Sequence, residues 1–79
     1  MIFESIQEII ANAMGARLKM NKADITESTE FIADLHADSV DVATIICDIE
    51  DEFNIEIDEE QLEGIETVGD VVERIESMI

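Results

Sequence analysis

An all-α fold is predicted for this 79-residue chain, and three observations carry the prediction. Proline is absent, glycine occurs three times and aromatics make up 4% of residues, so the turn-formers and β-formers of a strand-rich sandwich are scarce. Apolar side chains recur three and four positions apart over several stretches, the period of a helix face. Two of those stretches begin with a capping pair, an acceptor side chain at the N-cap and an acidic residue three positions on.

The first helix is expected from about Phe3 to Met14. Phe3, Ile6, Ile10 and Ala13 form its apolar stripe, widened by Ile9. Gly15 can end it, although Ala16-Arg17-Leu18-Lys19 would also suit a continued helix with basic residues at its negative end. A long connection follows, from about Met20 to Asp38. It is polar but carries Ile25, Phe31, Ile32 and Leu35, which are expected to pin it to the core.

The second helix is expected over Ser39–Phe53. Asp38 is its N-cap and Asp41 the return partner of a capping box. Val42, Ile46, Ile49 and Phe53 make an inner stripe flanked by Ala43 and Ile45, while Asp41, Asp48, Asp51 and Glu52 fall on the outer face. Asn54 is a stop signal. The alternation in Asn54-Ile55-Glu56-Ile57 resembles a strand, but a lone strand has no partner, so an extended loop is expected. A short third helix is placed near Glu59–Glu63, ending at Gly64. The fourth runs from about Val68 to Met78, capped by Thr67 with Asp70, and buries Val68, Val71, Val72, Ile75 and Met78.

Charge narrows the function. The net charge is −17, and it is uneven. Residues 1–22 hold Arg17, Lys19 and Lys22 against Glu4 and Glu8, whereas the remainder has Arg74 as its one Lys or Arg. Phosphates would be repelled, which excludes direct nucleic-acid binding. A basic protein partner would instead be attracted in a salt-sensitive way. The start Met1-Ile2-Phe3-Glu4 lacks the basic residues and apolar run of a leader, and no apolar stretch has membrane-spanning length. A soluble, cytoplasmic monomer with no membrane contact is expected. One Cys and one His cannot build a structural zinc site, and the acidic runs at 50–52 and 58–60 lack EF-hand spacing, so no metal is assigned. Cys47, in acidic and apolar surroundings, is expected as an inert buried or half-buried residue. His36 is expected as a solvated loop residue.

Ser39 is the candidate functional residue. It opens a helix, where free N–H groups and the helix dipole favour an anion esterified to its hydroxyl. His36 is the only histidine, three residues away. Asp38, Ser39 and His36 in one short loop do not supply the geometry of a hydrolytic triad with its oxyanion hole. A serine modified by another enzyme needs no base of its own.

The stretch Leu35-His36-Ala37-Asp38-Ser39-Val40-Asp41 resembles the acyl carrier protein signature, usually Leu-Gly-Ala-Asp-Ser-Leu-Asp. Phe31-Ile32-Ala33-Asp34-Leu35, Ile49-Glu50-Asp51-Glu52-Phe53-Asn54-Ile55-Glu56-Ile57 and Ile65-Glu66-Thr67-Val68-Gly69-Asp70 extend the resemblance over about residues 25–75. It implies a four-helix bundle with a short third helix and a long loop between helices 1 and 2, as a single domain over residues 1–79. It implies 4′-phosphopantetheine on Ser39, transferred from coenzyme A by a carrier-protein synthase (a phosphopantetheinyl transferase). The chain would then be no enzyme but a carrier of growing fatty acyl chains as thioesters, with polyketide, aminoacyl or D-alanyl cargo as the alternative. Asp38, Val40, Asp41, Asp48, Glu50 and Asp51, with Glu59, Glu60 and Glu63, are implied to dock basic patches on fatty-acid synthesis enzymes. Phe31, Ala43, Cys47, Ile49, Ile57, Leu62, Ile65 and Val71 match positions near an acyl cavity. His36 for Gly, Val40 for Leu, Thr44 for Glu and Asp58 for Pro depart from the usual pattern, and the segment around Ala16–Lys22 is longer.

Overall fold

The computed structural model describes residues 2–79; Met1, part of the stretch read above for a leader, lies outside the described residues. Helix α1 spans Ile2–Met14, α2 Ser39–Phe53, α3 Glu59–Leu62 and α4 Val68–Met78, with no strand among the described residues. α1 packs against both α2 and α4. The core is built from Ile6, Ile9, Ile10 and Met14 of α1, Ile45 and Ile49 of α2, and Val68, Val71, Val72 and Ile75 of α4.

Each boundary has a local cause. Gly15 takes a left-handed φ of +54°, which ends α1. The basic segment beyond it forms a 3₁₀ turn over Gly15–Arg17 and does not prolong the helix. The capping boxes expected at Asp38/Asp41 and Thr67/Asp70 are both formed, and a third, Asp58 with Gln61, starts α3. Asp70 accepts hydrogen bonds from the backbone N–H groups of Glu66 and Thr67, which hold its carboxyl below the usual carboxylate range. Asn54 stops α2 in the left-handed region, and its N–H reaches back to Glu50 O.

The long connection is pinned at several points. Ile25, Phe31 and Leu35 are buried as expected, together with Ala37. Ile32 is not an anchor, for it stands 68% exposed. The reason is a single turn closed by Asp34 and Leu35 N–H groups on Glu30 O, which puts Phe31 and Leu35 on one inner face and Ile32 outside it. The Gln7 side chain donates to Ile25 O and Lys22 O, tying the start of the connection to α1. Its later part lies along the start of α4. Phe31 N–H donates to Glu66 O, while the N–H groups of Val68 and Gly69 donate to Thr29 O and Glu27 O. Loop carbonyls thus satisfy donors that α4 leaves without helical partners. A Cβ on Gly69 would stand 2.9 Å from Glu27 O, so this close approach requires glycine.

Two further expectations change. Cys47 is exposed and not buried or half-buried, because it lies on the opposite side of α2 from Ile45 and Ile49. Asp41 is not on the outer face: it is 3% exposed and forms an ion pair with Arg17.

Candidate functional site

The first turn of α2 presents Ser39 to solvent. Asp38 Oδ1 accepts from Asp41 N–H at 2.8 Å, and Asp41 Oδ2 accepts from Asp38 N–H at 3.2 Å. These two bonds fix the helix start. They leave the N–H groups of Ser39 and Val40 free of partners among the described residues, at the positive end of a four-turn helix. The Ser39 hydroxyl makes no hydrogen bond to the described residues, and none joins it to His36. The site therefore offers an accessible hydroxyl with a local welcome for an anion and no base hydrogen-bonded to it among the described residues. A phosphodiester on Ser39 fits these residues.

His36 lies in the loop that leads to the serine and is exposed, with φ +56°. Histidine keeps the left-handed turn that glycine adopts without steric cost. His36→Gly is expected to raise stability by roughly 0.5–1 kcal/mol, the left-handed cost less glycine's extra unfolded-state entropy. A higher urea midpoint at unchanged slope would show it.

Beside this turn lies an apolar cavity of about 350 Å³. That is within the range of small-molecule sites, roughly 300–1,000 Å³. Phe31 and Ile32 of the connection line it, with Val42, Ile45 and Ile46 of α2, Leu62 of α3, Ile65, and Val71 of α4; Glu30 and Glu66 complete it. Of the residues expected here, Phe31, Leu62, Ile65 and Val71 line the cavity. Ala43 and Cys47 do not, because both face solvent. Ile49 is in the core and Ile57 packs against it, but neither lines the cavity. Val42, Ile45 and Ile46 were legible as apolar helix positions, but their share in the cavity depends on how α2 faces α3 and α4.

The pattern described as "Phosphopantetheine attachment site" matches residues 6–75. The acyl carrier protein of Helicobacter pylori strain J99 is 48% identical over 75 residues, which cover 95% of this chain and 91% of that one. This chain belongs to the acyl carrier proteins. The Wolinella succinogenes acyl carrier protein is 42% identical, over 96% of this chain and 95% of the relative. The fold agrees. The Enterococcus faecalis acyl carrier protein structure has a TM-score of 0.70 at 34% identity, covering 98% of both chains. A Mycobacterium tuberculosis structure assigned to the same family reaches 0.84 at 29% identity over the full length of both. An acyl carrier protein is a carrier and not a catalyst, and its prosthetic group is covalent 4′-phosphopantetheine.

Around the serine of this acyl carrier protein the acidic candidates divide into two groups. Asp38, Asp51, Glu59, Glu60 and Glu63 are exposed, and Asp48 is partly so. Val40 stands 70% exposed next to Ser39. Asp41 is withdrawn by burial, and Glu50 is half-buried with Oε2 accepting from Ile57 N–H at 2.8 Å, which ties the loop after α2 to the helix. Thr44 donates its hydroxyl to Val40 O, one turn back. Arg74 is also occupied, donating to Gln61 O and Glu63 O at the end of α3. It joins α3 to α4 and sits partly buried. Among the described residues no helix is long and apolar enough to cross a membrane.

Proposed function

We propose that Ser39 is the attachment point of 4′-phosphopantetheine and that this carrier presents fatty acyl groups to the enzymes of fatty-acid synthesis in the cytoplasm, as a monomer. The observation that supports it most is the placement of an accessible serine at a capped helix start, one turn before Val42 at the apolar cavity. One helical turn is about 5.4 Å, so an arm rooted at Ser39 begins beside the cavity mouth. The arm's thiol holds acyl groups as thioesters. In the loading reaction the Ser39 hydroxyl oxygen forms a new bond to the pantetheine-bearing phosphorus of coenzyme A. The pyrophosphate P–O bond breaks, adenosine 3′,5′-bisphosphate leaves, and the hydroxyl proton passes to a base of the transferase. Relatives at 42–48% identity named acyl carrier protein favour this cargo over aminoacyl or D-alanyl groups. Phe31, Val42, Ile45, Ile46, Leu62, Ile65 and Val71 would shelter the chain's hydrocarbon.

The test is direct. Incubated with coenzyme A and a phosphopantetheinyl transferase, the chain gains one pantetheine phosphate by intact mass; a chain that stays at its original mass overturns the reading.

Docking falls to Asp38, Val40, Asp48, Asp51, Glu59 and Glu60. Exposed charges mainly set association rates, and salt screens them. Asp48→Lys with Asp51→Lys is expected to slow association with a basic synthesis enzyme about tenfold at low salt, and much less at high salt. Equal rates for wild type and variant at low salt would reduce this face to a solubility device.

A further inference from the structure

Asp41 is the one charged side chain among the described residues that is buried. Its neighbours explain half of it: Oδ2 accepts from Asp38 N–H and so closes the capping box. The other oxygen, Oδ1, is buried and has no hydrogen bond, and its partner is the Arg17 guanidinium in an ion pair. Arg17 comes from the basic segment beyond α1, turned toward α2 by the left-handed Gly15 and the 3₁₀ turn that follows. The same guanidinium nitrogen donates to Ala13 O, a carbonyl of the last turn of α1. One side chain thus joins the end of α1 to the first turn of α2, two residues from Ser39. It places a positive charge there in a chain whose remaining 57 residues after Lys22 contain one Lys or Arg, Arg74.

We propose that Arg17 is a positioning residue for the modification of Ser39, acting through Asp41. This rests on the reading of Ser39 as the attachment point. Without the guanidinium, a buried carboxylate is left uncompensated, and the cheapest relief is for it to swing toward water. That movement releases Asp38 N–H and opens the turn that carries the serine. The Ser39 oxygen then spends less time in line with the phosphorus it attacks, and reactions of this kind respond steeply to small misplacements. With Arg17 in place the carboxylate is offset locally, so the incoming phosphate meets less repulsion at the helix start.

The proposal separates from two others by its pattern of rescue. Arg17→Gln, folded by circular dichroism, is expected to be modified with kcat/KM about tenfold lower, the loss lying in kcat. Arg17→Lys, which keeps the charge, should recover to within about threefold of wild type. The decisive variant is Arg17→Gln with Asp41→Asn. Asparagine can still accept from Asp38 N–H but leaves no unpaired charge, so modification should return to within about threefold of wild type; coupling of this kind is expected of residues in contact. A double variant as slow as Arg17→Gln would mean that Arg17 touches the transferase itself, and the proposal fails. A loss confined to melting temperature, with kcat intact, would make Arg17 a stability residue and also overturns it. Amide hydrogen exchange at Asp41 and Val42 reads the brace without any transfer: faster in Arg17→Gln and restored in the double variant, or the brace is absent. A wild-type chain that accepts no pantetheine overturns the attachment reading instead, and the exchange result still judges the brace.

Discussion

Ser39→Ala is expected to yield a folded chain that takes up no 4′-phosphopantetheine. The two halves of this result have separate physical causes. Ser39 is exposed, its hydroxyl makes no hydrogen bond to the described residues, and the helix start is held by Asp38 and Asp41. Alanine is the best helix former, so at the first position of α2 it removes nothing the fold uses. The change in stability should stay within about 0.5 kcal/mol, as for surface positions generally. Uptake should be lost completely, because alanine has no hydroxyl oxygen to bond the phosphorus. Intact mass after exposure to coenzyme A and transferase should show full conversion of the wild type and none of the variant, with matching circular dichroism. An equal mass gain on Ser39→Ala would move the attachment elsewhere.

The second large effect is on stability. Ile49→Ala truncates a side chain that is 0% exposed in the second half of α2, where it packs in the core shared with α1 and α4. Such truncations cost about 2–5 kcal/mol, the transfer free energy plus the void left behind. A domain of 79 residues has roughly 4–12 kcal/mol in total, taking 0.05–0.15 kcal/mol per residue. The melting temperature should therefore fall by at least about 8 °C, at some 4–8 °C per kcal/mol for a domain of this size. Cys47→Ala, two residues earlier on the same helix, is the control: its side chain is exposed, and the change should stay within about 0.5 kcal/mol. Equal losses for the two variants in urea unfolding would contradict the orientation of α2.

The same contrast marks what could be read along the chain. Residues that act within one turn of their partners were legible. The Asp38/Asp41 and Thr67/Asp70 boxes and the Asn54 stop each use groups three or four positions apart, so sequence spacing is nearly spatial distance. α2 and α4 accordingly start and end where the pattern places them. Within α2 the spacing puts Val42, Ile46 and Phe53 on one inner stripe with Ile49, yet Ile45 and Ile49 are the buried pair, and Asp41 shares their side of the helix. An apolar band this wide leaves the rotation about the helix axis to its neighbours. Ile32 went astray for a related reason, since hydrophobicity marks a candidate anchor but the turn at Glu30–Leu35 chooses which side chain points inward.

The sequence by itself determined four helices, the capped starts of the second and fourth, an acidic face and a serine at the start of the second helix. Those follow from local hydrogen bonds, side-chain period and charge, all of which act over a few residues. Only the tertiary structure decided that Asp41 is buried against Arg17, that Cys47 and Ala43 face solvent, and that the connection joins α2, α3 and α4 around an apolar cavity. Arg17 and Asp41 are 24 positions apart, and no pattern along the chain couples them. Their contact exists because α1 and α2 pack side by side, which brings the end of one to the beginning of the other.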